Sequence, residues 1–382
     1  MMRAILSIEP VRFPLTGIGR YTYELARQLQ QHPQVDELKF FGATNFVEHL
    51  PAAREHAGSG FHLKELVQKS YLANEAYRRL LPLIKKRALS GQEDFIYHGP
   101  NFYLPPFDGP RIATFHDLSP FKWSECAPLQ RIRFMQKELR LAVDRADAFI
   151  TDSEFNRQEL AQFFAIKPER IHAVPLASGE EFHPRSAQQT LATLTQHGLM
   201  HGGYSLYVGT IEPRKNLRNL LRAYAELPLS LRQRWPLILS GFRGWRSEDI
   251  HQDIAQAQRE GWARYLGFVS AEDLPSLFAG ARLFCFPSHY EGFGLPVLEA
   301  MSSGVPVVCS NSSSLPEVAG NAALLTEPED VAGLQAALLR GLEDEQWRDT
   351  AILAGLQHSA TFSWARCANE TLAAYRSLLD KR

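Results

Sequence analysis

The sequence predicts an α/β protein built from two doubly wound domains, and three observations carry that prediction. Short apolar runs alternate with amphipathic stretches along almost the whole chain, as parallel strands covered by helices on both faces require. The alternation halts at Leu176–Pro184 (LASGEEFHP), a cluster of turn-forming and polar residues, and then restarts. The chain's 382 residues exceed what one core typically serves and suit two.

Taken in order, Ala4–Ile8 reads as a buried strand and Gly19–Gln31 as a helix. Strand character returns at Lys39–Phe41, Arg111–Phe115, Ala148–Thr151 and Ile171–Val174. These segments form a first domain, residues 1–178, followed by a linker over 177–190. The second domain, residues 190–362, has strands at Ser205–Val208, Leu237–Ser240, Tyr265–Leu266, Leu283–Phe286 and Pro306–Cys309. Its helices fall at Leu217–Glu226 and Pro296–Ser302. Trp364–Leu379 is strongly helical and too long for a frayed tail.

Composition narrows the classes. Apolar residues make up 45% and charged residues 22%, as in an ordinary globular protein. Lys and Arg number 41 against 42 Asp and Glu, so bulk charge gives a nucleic-acid partner no support. No apolar run approaches the roughly 18–20 residues of a membrane span. Met1–Pro10 lacks the apolar stretch and cleavage site of a signal peptide. Cys126, Cys285, Cys309 and Cys367 are far apart and out of metal-ligand spacing, and Cys285 and Cys309 sit inside strand-like runs as buried thiols. A cytoplasmic, reducing compartment is expected.

Chemistry concentrates first at Ser288–Ala300 (SHYEGFGLPVLEA), between a strand and a helix. Gly292 and Gly294, flanking Phe293, let backbone approach a ligand, and Pro296 suits the first turn of the helix that Leu295 opens. Exposed amides and the positive end of the helix dipole make an anion site suited to a diphosphate. Glu299, a turn further in, can accept from ribose hydroxyls, and Glu291 can hold hydroxyls of a transferred sugar. A surface turn with an acidic helix start is the plain alternative.

A second strand-to-helix junction, Gly209–Leu217 (GTIEPRKNL), places Arg214 and Lys215 where a leaving diphosphate would sit, with Asn216 as a cap for the next helix. Adjacent cations in a loop are usually just solvated. At the carboxyl end of the first strand of a doubly wound domain they lie on the ligand-binding edge.

In the first domain, Thr16–Tyr21 (TGIGRY) brings Gly17, Gly19 and Arg20 to the loop after the opening strand. The G-x-G pair lacks the third glycine of a dinucleotide fingerprint, which disfavours an NAD site. Thr114–Asp117 (TFHD) ends a strand, so His116 either meets substrate or is satisfied in place. His98 and Asn101, in YHGPN, either line the cleft or belong to a Pro/Gly turn, and Ser153 reads as a helix N-cap.

The segment EGFGLPVLEAMSSGVPVV, with Glu291 and Glu299 separated by seven residues, resembles the signature of glycosyltransferase family 4. Leu315–Val318 (LPEV) is similar to the segment that follows in that family, and the likeness extends over essentially the whole chain. The resemblance implies the GT-B fold, two Rossmann-like domains facing across a cleft, and retaining transfer from a nucleotide sugar. On it, the first domain takes the acceptor and the helix of residues 364–382 packs back on that domain. Arg214 and Lys215 neutralise the pyrophosphate, His116 contacts the donor sugar, Gly17 and Gly19 face the donor phosphate, and backbone near Val269 reads the base. Gly292, Phe293, Gly294, Leu295 and Glu299 complete donor binding.

Without an obvious nucleophile, front-face attack is expected, a phosphate oxygen taking the acceptor's proton. With two cations and a dipole in place and no D-x-D triplet at a strand end, neither metal nor cofactor is expected. The TGIGR opening is similar to bacterial mannosyltransferases of O-antigen or exopolysaccharide assembly, which points to GDP-mannose and a glycan or lipid-linked acceptor. A GDP-deoxyhexose or UDP-sugar donor, a nucleotide-sugar epimerase of the same fold and a non-catalytic scaffold are the alternatives. Tyr77–Arg87 (YRRLLPLIKKR) holds five basic residues and no acidic one. It either rests on anionic lipid or forms a solvated basic helix pair interrupted at Pro82.

Overall fold

The computed structural model describes residues 2–15, 17–51 and 71–380. Seven strands form the first sheet: β1 Arg3–Ser7, β2 Glu37–Phe41, β3 Phe46–Val47, β4 Ile96–Gly99, β5 Arg111–Phe115, β6 Ala148–Thr151 and β7 Ile171–Ala173. Their order is β3-β2-β1-β4-β5-β6-β7, parallel except for the β2–β3 pair. Six parallel strands form the second: β8 Ser205–Val208, β9 Leu237–Ser240, β10 Ala263–Gly267, β11 Leu283–Phe286, β12 Val307–Ser310 and β13 Ala323–Thr326. They run β10-β9-β8-β11-β12-β13.

Central strands such as β9 (LILS) and β11 (LFCF) are buried along their whole length. Covered on both faces, they need continuous apolar runs rather than alternation. In each sheet the strand order reverses once, between β1 and β4 and between β8 and β11. A crevice opens outside the carboxyl ends of strands at such a reversal. The loops that begin at Ile8, Pro100, Gly209 and Pro287 are therefore the ones the topology presents to a ligand.

The predicted strands appear within a residue or two, while β3, β4 and β13 were not anticipated. Tyr71–Ala88 is one helix running through Pro82, so the interruption expected there is absent. The side chains of Tyr77, Arg78 and Arg79, like Thr16, Met1, Lys381 and Arg382, lie outside the described residues. No helix of the described residues is long and apolar enough to cross a membrane. All four cysteines are buried and free.

Helix Trp364–Leu379 packs on helix Gly17–Gln30 and on β6, returning the chain to the first sheet. Its buried face carries Trp364, Cys367, Ala368, Thr371, Leu372, Tyr375 and Leu378, the 3.6-residue rhythm of one apolar stripe. Each large side chain so buried contributes about 1.5–3 kcal/mol. Tyr375 adds a hydrogen bond of 2.8 Å between its hydroxyl and His98 Nδ1. His98 Nε2 meets Thr114 Oγ1 at 2.8 Å, and the ring is fully buried. Both readings of His98 from sequence, cleft wall and turn, are thereby corrected: it ties β4 to the C-terminal helix.

Candidate active site

The loop after β11, expected to face the donor, is built by glycines and serines. Gly294 stands at the N-cap of helix Leu295–Ser302 with φ 114°, and a Cβ there would lie 2.6 Å from Leu315. Only glycine takes that conformation without strain. Pro296 falls in the first turn, as its missing N–H allows. Ser314, fully buried, donates to the carbonyls of Glu291 (3.0 Å) and Phe293 (2.7 Å), and Ser313 Oγ accepts from the Glu291 N–H at 2.9 Å. Phe293 is itself buried, edge-on to Phe362, while Leu295 is half-buried. These serines come from the loop after β12, so the loop is fastened by a neighbouring strand end.

Arg214 and Lys215 lie in the short 3-10 turn Pro213–Lys215 after β8, and both reach the donor loop. Lys215 Nζ donates to Glu291 Oε1 at 2.6 Å, and Arg214 donates to the Tyr290 carbonyl at 2.6 Å and to Glu212 at 2.8 Å. Arg214 also stands 3.4 Å from Glu291. Burial disfavours charge on Arg214, Lys215 and Glu291, yet the opposite charges around them compensate. Burial would raise the Glu291 carboxyl, but Lys215 and Arg214 hold it below its ordinary range. Burial and the neighbouring Arg214 lower Lys215, with Glu291 and Glu212 opposing. Burial also works against Arg214, but Glu291, Asp117 and Glu212 outweigh it and raise its pKa. Two cations and two carboxylates thus form a neutral buried patch at the positive end of a helix, where a diphosphate can replace the carboxylates as partner.

Asn216 does not cap the helix that follows. It takes a left-handed φ of 58°, and its amide donates to the carbonyls of Pro287 (3.0 Å) and Pro328 (2.7 Å). It fastens the cation turn to the donor loop.

Across the cleft, β5 and β6 pair Phe115 with Thr151, so the next residues, His116 and Asp152, stand side by side. His116 Nδ1 lies 2.7 Å from Asp152 Oδ2, and Nε2 lies 2.9 Å from the Pro100 carbonyl. The Pro100 carbonyl only accepts, so Nε2 carries hydrogen, and ionised Asp152 favours a second hydrogen on Nδ1, the positively charged ring. Burial opposes that charge, but Asp152 outweighs it and raises the histidine pKa. Asp152 escaped the sequence reading, although the strand register points to it. Ser153 caps helix Glu154–Phe164 as expected, accepting from the Asn156 N–H.

Gly17 opens helix Gly17–Gln30 with open space around it, whereas a Cβ on Gly19 would press within 2.9 Å of the Pro10 carbonyl. Arg20 pairs with Glu181 at 2.8 Å, and both act on Glu299, Arg20 from the first domain and Glu181 from the linker. Burial pushes the Glu299 carboxyl up to about 7, with Arg20 opposing and Glu181 adding. Val269, buried after β10, stands two strands away from the Arg214 cluster, beyond β9. Among the predicted residues, then, Arg214, Lys215 and Glu291 are in direct contact, and Gly292 touches His116. Among the described residues no cluster of three or more His, Cys, Asp or Glu is arranged to hold a metal.

Residues 15–177 match the model of Glycosyltransferase Family 4, and residues 199–357 match that of Glycosyl transferases group 1. The chain is 45% identical over 381 residues to the O-antigen chain mannosyltransferase B of Escherichia coli, covering 99% of this chain and all of that one. It is 34% identical over 277 residues to the serotype-specific mannosyltransferase WbdA of Escherichia coli, where the match spans 34% of that longer protein. Sucrose-phosphate synthase from Thermosynechococcus elongatus superposes over the whole of both chains with a TM-score of 0.71 at 21% identity, a likeness of fold. With its GT-B architecture and its full-length relative, the chain belongs to the family 4 (group 1) glycosyltransferases.

Proposed function

We propose that the protein transfers mannose, with retention, from GDP-mannose to a glycan or lipid-linked saccharide in O-antigen assembly. The observation that carries this reading is the Arg214–Lys215–Glu291 cluster at the start of helix Leu295–Ser302, in a chain 45% identical to an O-antigen mannosyltransferase. The donor diphosphate displaces Glu291 from the two cations, and Glu291 then holds hydroxyls of the mannosyl ring. Glu299 takes the ribose hydroxyls, with Gly17, Gly19 and the backbone at Val269 completing donor binding. The acceptor hydroxyl approaches on the face the diphosphate leaves, and a phosphate oxygen takes its proton. With both nitrogens engaged, His116 is no free base and serves as a fixed positive charge beside the sugar. Arg214 and Lys215 supply the charge stabilisation, so no metal is needed; activity retained in excess EDTA tests that point.

The acceptor side favours a peripheral membrane position at the inner face of the plasma membrane. Leu80, Leu83 and Ile84 are exposed on helix Tyr71–Ala88, next to Lys86 and Arg87. Co-sedimentation with anionic liposomes, lost on K86E/R87E, is the expected result; no binding by the native protein ends this part of the reading.

Thermal stabilisation by GDP, UDP, ADP and dTDP at matched concentration tests the donor. A nucleotide at 100 times its Kd adds about 2.7 kcal/mol. A response to GDP alone supports GDP-mannose, and a preference for UDP overturns it.

A further inference from the structure

The two domains are joined across the cleft by a compact set of hydrogen bonds that the donor chemistry does not require. Glu317, exposed on the second domain in the LPEV segment, reaches the first domain's helix Glu154–Phe164. Its carboxylate accepts from the N–H groups of Glu154 at 2.8 Å and Phe155 at 2.6 Å. The third N–H, of Asn156, is capped by Ser153 Oγ at 3.2 Å. The first turn of a helix leaves such amides without partners and carries the positive end of the dipole. Here one domain's carboxylate completes the other's cap.

Asn156 extends the same junction inward. It is 3% exposed, and its Nδ2 donates both to the His116 carbonyl at 2.5 Å and to the Gly292 carbonyl at 2.9 Å. Ser153 Oγ donates to Gly292 as well, at 2.9 Å. Tyr290 OH accepts from the Leu118 N–H at 2.9 Å and bonds Glu159. The donor loop is therefore registered against the strand end that carries His116 by groups from helix Glu154–Phe164.

We propose that Glu317 and Asn156 are positioning residues of a closure latch: capping of the first domain's helix by Glu317 sets the Asn156 amide, which aligns the donor loop with His116 for transfer. The proposal rests on the transfer chemistry above but not on which sugar is moved. Neither residue need touch substrate, so the latch governs turnover rather than donor affinity.

The test is amide hydrogen exchange on the full chain without ligand, followed by kinetics with GDP-mannose, for the wild type, Glu317→Ala, Glu317→Gln and Asn156→Ala. In Glu317→Ala the Glu154 and Phe155 amides are expected to exchange about tenfold faster or more, with the strand amides unchanged. Turnover in Glu317→Ala and Asn156→Ala should fall about tenfold or more with donor KM nearly constant, and Glu317→Gln, which keeps one acceptor oxygen, should recover part of it. Unchanged exchange in Glu317→Ala overturns the latch. Faster exchange with unchanged turnover, or a loss confined to KM, overturns its positioning role. If the wild type turned over no GDP-mannose, the donor reading would fall while the exchange rates still decided the latch.

Discussion

Lys215 Nζ lies 2.6 Å from Glu291 Oε1, and both residues are more than nine-tenths buried. The pair joins the turn after β8 to the loop after β11, the two strands at which the second sheet reverses its order. An ion pair in that position is costly to break and easy to exchange, since a diphosphate offers Lys215 the same kind of partner.

Lys215→Ala should therefore act twice. Removing one partner of a buried pair costs about 3–5 kcal/mol of stability, and Arg214 at 3.4 Å from Glu291 keeps the loss near the lower end. Turnover should fall by about 2.7–4 kcal/mol in the barrier, more than donor affinity falls. Urea unfolding and steady-state kinetics read the two effects, and undiminished turnover would remove Lys215 from the mechanism.

Glu299 carries a pH dependence of definite sign. Its folded pKa, pushed up to about 7, exceeds the ordinary 4.5. The stability it contributes is fully present below about pH 4.5 and is lost as pH rises through 7. Ionised in place, it costs on the order of 3 kcal/mol. Glu299→Gln should thus be more stable than the wild type at pH 8, with the gap closing toward pH 4.5, as urea titrations across that range would record. A gap independent of pH would show that Glu299 ionises freely.

His116 should titrate above its ordinary value in the wild type, because Asp152 holds the charged ring against the opposing effect of burial. In Asp152→Asn its pKa should drop below that of the wild type. The wild type's advantage in stability should be greatest below about pH 6.5 and shrink as pH rises through the folded pKa. Imidazole resonances followed by NMR supply the measurement; identical titrations would dissolve the dyad.

Gly292→Ala tests whether the closed arrangement is the working one. A Cβ at that position would fall 1.8 Å from the His116 carbonyl, so the domains cannot meet as they do here. Turnover should drop about a hundredfold or more, by analogy with catalytic groups misplaced by about 1 Å. Full turnover in Gly292→Ala would mean that transfer does not use this contact.

Much of the architecture was legible because it is written locally. Strands such as Leu283–Phe286 are continuous apolar runs, and the loops that follow them carry Gly and Pro at fixed places. What escaped depends on partners distant in sequence. The YHGPN stretch looks like a turn, yet His98 is a strand residue whose ring is satisfied by Tyr375, 277 positions on. Asn216 has the composition of a cap, but the Pro287 and Pro328 carbonyls take its amide first. Asp152 is unremarkable until the β5–β6 register sets it beside His116. Glu317 lies in a segment that resemblance marks and local chemistry does not explain; only the facing helix gives it a task.

Helix Trp364–Leu379 has a consequence for biosynthesis. The first sheet is complete by Ala173, but the wall that covers Tyr21, His98 and β6 is supplied by residues made some 190 positions later. During translation the first domain must wait, with that face uncovered, while the second domain is made and folds. Helix Trp364–Leu379 then closes the first sheet, so the cleft becomes a finished site only after residues 364–379 have left the ribosome.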